Sequence, residues 1–172
     1  AVAASAEQRT YDMLGCRGAA GQSPLAIGRY GDGTEITTTD AKVTVAWTVF
    51  KYVYEFHAQE QWRHGQVQQW SSRAVDGGKR LTLSALRTER GWQVSKMGGS
   101  PTIVGEVQLT TNYLRQPAAM SASGRLLGLD ADNGKTYDVR CVHVAQEENP
   151  IGAAGIACNA FVFQGAVDVD GW

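Results

Sequence analysis

Several things are scarce in this sequence, and each shortage narrows what the protein can be. The 16 Lys and Arg nearly balance the 17 Asp and Glu, giving a net charge of −1. With no basic run, the charge pattern offers no footprint for a nucleic acid. No segment carries a sustained helical apolar period, so a helix longer than about three turns is not expected. The longest uncharged run, Asn149 to Val167, is interrupted by Pro150, Gly152, Gly155, Asn159 and Gln164, which a lipid-facing helix tolerates poorly, so no transmembrane segment is expected. There is no Gly-x-Ser-x-Gly elbow, no His-Glu-x-x-His and no Cys-x-x-Cys. The glycines of GCRGAAGQS link strands without leading into a helix that could cradle a phosphate. These absences leave no catalytic residue, no metal and no cofactor to assign.

Cysteine is also sparse, with three in the chain. Cys141 and Cys158 lie in the apolar-flanked runs YDVRCVHV and IACNAFVF, on either side of the turn-rich EENPIGAAG. Folding one run back on the other as a hairpin brings the two thiols together. A disulfide there would close a loop of about 16 residues and contribute around 3 kcal/mol; the alternative is a pair of buried thiols. Cys16 is then the odd one. The opening AVAASA carries the small-residue pattern Ala4-Ser5-Ala6 of a signal-peptidase site, which favours export, to the periplasm or beyond.

What the chain does contain is strand. Its 172 residues, 43% hydrophobic and 19% charged, suit one domain that buries roughly 70% of its unfolded surface, with residues 1–7 as a flexible N-terminus. Lys42 to Trp62, KVTVAWTVFKYVYEFHAQEQW, reads as the longest unbroken extended run. Val43, Val45, Trp47 and Val49 share one side and Phe50, Tyr52, Tyr54 and Phe56 the other, so the apolar phase slips at Val49-Phe50. A strand that changes its buried face needs a bulge or coil, which bends the sheet. Turn signals at Gly31-Asp32-Gly33, Arg63-His64-Gly65, Asp76-Gly77-Gly78, Gly91 and Asp132-Asn133-Gly134 divide the rest into short strands. Across Gly77-Gly78, Trp70, Ser72 and Ala74 should share a face with Leu81, Leu83 and Ala85. Short strands are also read at Val104 to Leu109 and Asn159 to Val169, with one helical turn at Thr111 to Gln116. The expected fold is all-β: a single curved antiparallel sheet or barrel, a meander of about ten strands with very little helix.

The motifs Tyr11-Asp12-x-Leu14, Tyr52-x-Tyr54-Glu55, Glu60-x-Trp62-Arg63-x-Gly65, Ser72-Arg73, Asp76-x-Gly78-Lys79-Arg80 and Asn133-Gly134 run in order over most of the chain. Together they resemble an uncharacterised family of exported bacterial proteins, a domain of unknown function. The resemblance implies a secreted or periplasmic β-rich protein with no assigned activity. Its general look is similar to lipoprotein-carrier-like folds, in which a curved sheet wraps an apolar interior. The family pattern runs past a final Trp-Tyr-Asp whereas this chain stops at Trp172, which would leave an open sheet edge in need of a cover.

Two groups of residues could carry function. Glu55, His57, Glu60 and His64 form one acidic and histidine cluster, with Glu55 and His57 on the same side of a strand; near a turn, such residues are expected to be solvated. Trp47, Phe50, Tyr52, Tyr54, Phe56, Trp62 and Trp70 form an aromatic band that either fills the core or presents a ligand or partner surface. The expected function is non-enzymatic: an accessory subunit docked on a larger periplasmic or membrane-associated assembly. A carrier of a lipid-like apolar small molecule is the alternative, and an enzyme of unknown class the third.

Overall fold

The computed structural model describes residues 3–15, 18–46, 51–107, 109–110, 124–151 and 154–165. Among them are twelve strands and no helix. The first eight, β1 (Ser5–Gly15), β2 (Gly18–Arg29), β3 (Thr34–Ala46), β4 (Lys51–Arg63), β5 (Gln66–Asp76), β6 (Lys79–Thr88), β7 (Gly91–Lys96) and β8 (Thr102–Val104), form one antiparallel sheet in chain order. The remaining four are β9 (Leu109–Thr110), β10 (Gly124–Leu129), β11 (Thr136–Ile151) and β12 (Ala154–Gly165). They make a second sheet in the order β12-β11-β10-β9, in which β9 and β10 run parallel.

The all-β meander is therefore as expected, but the single sheet or barrel of about ten strands is corrected to two sheets. The eight-stranded sheet does not close, because β1 pairs only with β2 and β8 only with β7 among the described strands. In place of closure, β9, β10 and the segments beside them meet one face of the first sheet, where Val107, Leu129 and Ala131 join its apolar residues and Thr110 bonds to Glu60. No helix of the described chain is long and apolar enough to cross a membrane.

The stretch from Lys42 to Trp62 is corrected as well. It is not one strand but the hairpin of β3 and β4, which pair from Thr34↔Arg63 to Ala46↔Lys51; residues 47–50, including Trp47 and Phe50, lie outside the described residues. The reversal explains the slip of apolar phase without a bulge. Val43 pairs with Tyr54 and Val45 with Tyr52, and directly paired residues share a face, so odd positions of β3 look the same way as even positions of β4.

Alternation then governs the sheet. Thr37 and Thr39 on β3, Ala58, Glu60 and Trp62 on β4, Trp70, Ser72 and Ala74 on β5, Leu83 and Ala85 on β6, and Trp92 and Val94 on β7 are all buried on one inner face. Trp70, Ser72 and Ala74 pair with Ala85, Leu83 and Leu81, the register expected from the Asp76-Gly77-Gly78 turn. Gly77 and Gly78 have φ of 54° and 90°, the left-handed pair that a two-residue hairpin loop demands. The core joins Trp62, Val67, Trp70, Leu83, Ala85, Trp92 and Val94 to Val107, Leu129 and Ala131, which come from the side of the second sheet. Ser72 Oγ, itself buried, donates to the Ala131 carbonyl at 2.5 Å and stitches the two layers.

Other boundaries differ in detail. The segment read as a loop at GCRGAAGQS is mostly the start of β2, and the strand read at Val104 to Leu109 is two short ones, β8 and β9. Strand β1 begins at Ser5, inside the segment expected to be flexible, while the helical turn read at Thr111 to Gln116 lies outside the described residues. The hairpin expected between Cys141 and Cys158 forms as β11 and β12, but its register sets Cys141 opposite Phe163 and Cys158 opposite Glu147. That spacing separates the two positions by roughly 15–20 Å along the ladder, against a reach of about 7 Å between the α-carbons of a disulfide. Cys16 lies outside the described residues.

Candidate functional site

The aromatic band splits between two environments. Trp62 and Trp70 are buried in the core, at 4% and 0% exposure, and Phe56 packs against the same cluster. Tyr52 and Tyr54 are half-buried at the end of that face, where Tyr54 stacks on Phe56 with ring centroids 6.3 Å apart. Each phenol has a carboxylate partner: the Tyr52 hydroxyl donates to Asp76 at 2.6 Å, and the Tyr54 hydroxyl to Asp132 at 2.9 Å. The hydrogen bond to Asp76, helped by partial burial, pushes Tyr52 up to about 12. Burial first, and then the Asp132 charge, raises Tyr54 further. Burial also lifts the Asp132 carboxyl above its ordinary range, against the opposing hydrogen bond from Tyr54, with Asp130 and Asp76 adding repulsion. Asp130 serves the backbone instead. Its carboxylate accepts from the Asp132 amide at 2.8 Å and from the Asn133 side chain at 2.7 Å, capping the turn that Asp132-Asn133-Gly134 signalled.

The Glu55, His57, Glu60 and His64 cluster is not one site. Glu60 points inward and is 1% exposed, which overturns its reading as a solvated residue. Its Oε1 accepts from the Thr110 hydroxyl at 2.7 Å, and its Oε2 from the Trp62 indole at 3.0 Å and the Thr37 hydroxyl at 3.4 Å. A carboxylate at that depth is tolerable only with such donors. Because Thr110 belongs to β9, Glu60 ties the second sheet to the first. His64 sits in the β4–β5 turn at φ 51°. Among the described residues no three His, Cys, Asp or Glu side chains converge to hold a metal ion.

Glu55 and His57 point outward, where β2 to β5 form an open groove of about 770 Å³. Two rungs of paired residues run across it. On one, Gln22, Lys42, Glu55 and Val75 are successive partners, and Lys42 Nζ donates to Glu55 at 2.7 Å, which lowers the Glu55 carboxyl. On the other, Asp40 accepts from His57 Nδ1 at 2.7 Å, and His57 pairs in turn with Arg73. The local backbone explains the wall at β2. The β2–β3 ladder passes from Gln22↔Lys42 to Leu25↔Thr39 and skips Ser23 and Pro24; Pro24 has no N–H to give. Just before this gap, a Cβ on Gly21 would lie 1.9 Å from the Lys42 carbonyl oxygen, so only glycine fits.

A family model described as a domain of unknown function (DUF6134) matches residues 20–172. The chain belongs to that family. No curated protein and no solved structure matches it. In this DUF6134 domain, His57 and Glu55 were the groove residues that sequence inspection reached, since both lie on one strand. Asp40, Lys42 and Arg73 were not connected with them, because three different strands bring them together. The one available signal was the presence of Ser72-Arg73 among the motifs that carried the family resemblance.

Proposed function

We propose that the protein is an exported, non-enzymatic accessory subunit that docks on a larger periplasmic or membrane-associated assembly through the groove on the outer face of β2 to β5. The observation that carries this reading is the groove itself. Its volume of about 770 Å³ lies within the roughly 300–1,000 Å³ of ligand-sized sites. It stands on central strands, which hold its side chains in place before anything binds. Of the aromatic residues proposed for a partner surface, Trp62 and Trp70 are committed to the core, and Tyr52 and Tyr54, half-buried at the end of that inner face, keep part of their surface in contact with solvent without lining the groove.

A photo-reactive residue at Gln22 or Thr44 would test this in cells of the source organism, with Ser84, exposed on the same face but outside the groove, as the control. A discrete heavier adduct from the groove positions alone is expected. Equal labelling from Ser84, or no adduct from either groove position, would defeat the docking role.

A second reading is a carrier of a lipid-like ligand. It is favoured by the apolar part of the groove lining, including Ala20, Pro24, Ala41 and Val75. Native mass measurement of protein from its own source would show a bound small molecule in that case. An enzyme is the third reading, and only the Asp40–His57 pair speaks for it.

A further inference from the structure

We propose that the groove receives an oxyanion, a carboxylate or a phosphate, gripped by the Arg73 guanidinium with the His57 ring beside it. This rests on the groove being a binding site and names what it takes.

Most charges in the groove are already matched. Lys42 and Glu55 satisfy each other at 2.7 Å, and Asp40 is held by His57 Nδ1 at 2.7 Å. Both groove carboxylates are thus engaged. Arg73 is the remaining charge: it is exposed on β5, paired across the ladder with His57, and its guanidinium meets no acceptor among the described residues. A guanidinium is a rigid fork of donors with no acceptor of its own, shaped to take a carboxylate or phosphate through two parallel hydrogen bonds.

Position separates Arg73 from other exposed arginines. Arg63 ends β4, Arg80 lies one residue into β6 and Arg90 sits in the β6–β7 turn, while Arg140, mid-strand on β11 like Arg73 on β5, lies outside the groove. Arg73 lies mid-strand in a central element and lines a concavity. Its backbone is held on both sides by the ladders to β4 and β6, so the side chain projects into the groove region from a fixed base. The Asp40 contact orients the neighbouring His57 ring, and His57 and Arg73 line the groove from directly paired positions on adjacent strands.

The test is a titration of the whole chain with inorganic phosphate and, separately, acetate at constant ionic strength, followed by nitrogen NMR of arginine Nε–H and histidine ring signals. Arg73 and His57 should move together along a saturating curve with a Kd on the order of 1 mM, and the tighter of the two ions identifies the oxyanion. Arg73→Gln should weaken binding at least about tenfold. Arg73→Lys, which keeps the charge but not the fork, should fall between, and Arg80→Gln should change nothing. Unsaturated drift, shifts of equal size at Arg80, or full binding by Arg73→Gln would overturn the proposal. The docking role and the oxyanion site fail separately. A groove adduct from Gln22 without ion binding removes the oxyanion alone, and saturable binding at Arg73 without an adduct supports the oxyanion site while removing the docking role.

Discussion

Glu55 and Glu60 share strand β4 yet live in different solvents. Glu55 faces outward, lends a wall to the groove and pairs with an exposed lysine; Glu60 faces inward, is 1% exposed and accepts from two threonine hydroxyls and an indole. The side chains are identical, and strand parity puts one in water while the other enters the core. The consequence of losing a partner differs accordingly: an exposed carboxylate that loses its lysine is rehydrated, whereas buried donors that lose Glu60 have no water to turn to.

Four measurements can break or sharpen this contrast. The largest effect belongs to the inner face at its driest point. Trp70→Ala removes a side chain with no exposed surface and should cost about 3 to 5 kcal/mol in urea unfolding; a loss below about 1 kcal/mol would mean the face is not packed as described. Trp70→Phe should cost much less, partly because the Trp70 indole N–H has no hydrogen-bond partner among the described residues.

Glu60→Ala comes next. It strips the acceptor from Thr37, Trp62 and Thr110 and loosens the tie between the sheets, so a loss of about 2 to 4 kcal/mol is expected. Hydrogen exchange should show β9 opening first.

A third, smaller effect depends on pH. Burial raises the Asp132 carboxyl in the folded state from an ordinary value of 3.8. A raised carboxyl stabilises the fold most below its unfolded value, and that contribution disappears as pH climbs through the raised one. The stability of the wild type relative to Asp132→Asn should therefore decline on going from about pH 4 towards neutrality, and a flat difference would contradict the burial of Asp132. The same rule applies to the tyrosines at the other end of the scale. Tyr52, raised to about 12, stabilises the fold below its ordinary value of 10.0 and loses that contribution as pH rises through 12. In an absorbance titration of the folded protein, Tyr52 should ionise only near pH 12, and Tyr54 later than Tyr52.

The smallest effect is predicted on the outer face. Glu55→Gln breaks the Lys42 pair in solvent and should change stability by less than about 0.5 kcal/mol. A larger change would show that the groove is a structural element rather than a surface held ready for a ligand.

Much of the fold was legible. The turns at Asp76-Gly77-Gly78 and Asp132-Asn133-Gly134 announce themselves through residues that accept unusual backbone angles, and the register of β5 on β6 follows from the first of them. The reversal between β3 and β4 was not legible, because Trp47-Thr48-Val49-Phe50 contains no turn residue and every member favours a strand. The apolar phase slip was the true trace of that reversal, but a bulge leaves the same trace. The candidate site was less legible. His57 and Glu55 could be placed on one face from a single strand, while Asp40 and Arg73 become their neighbours only through pairing with β3 and β5.

The sequence by itself determined that this protein is built of strands, where most of them turn, and which residues of each strand share a side, because alternation and turn chemistry are local. The tertiary structure decided which side faces inward, that two sheets rather than a barrel enclose the core, and that Glu60 is buried while Arg73 meets no acceptor among the described residues. Those outcomes depend on which strands become neighbours and on what covers them, and no single stretch of chain carries that information.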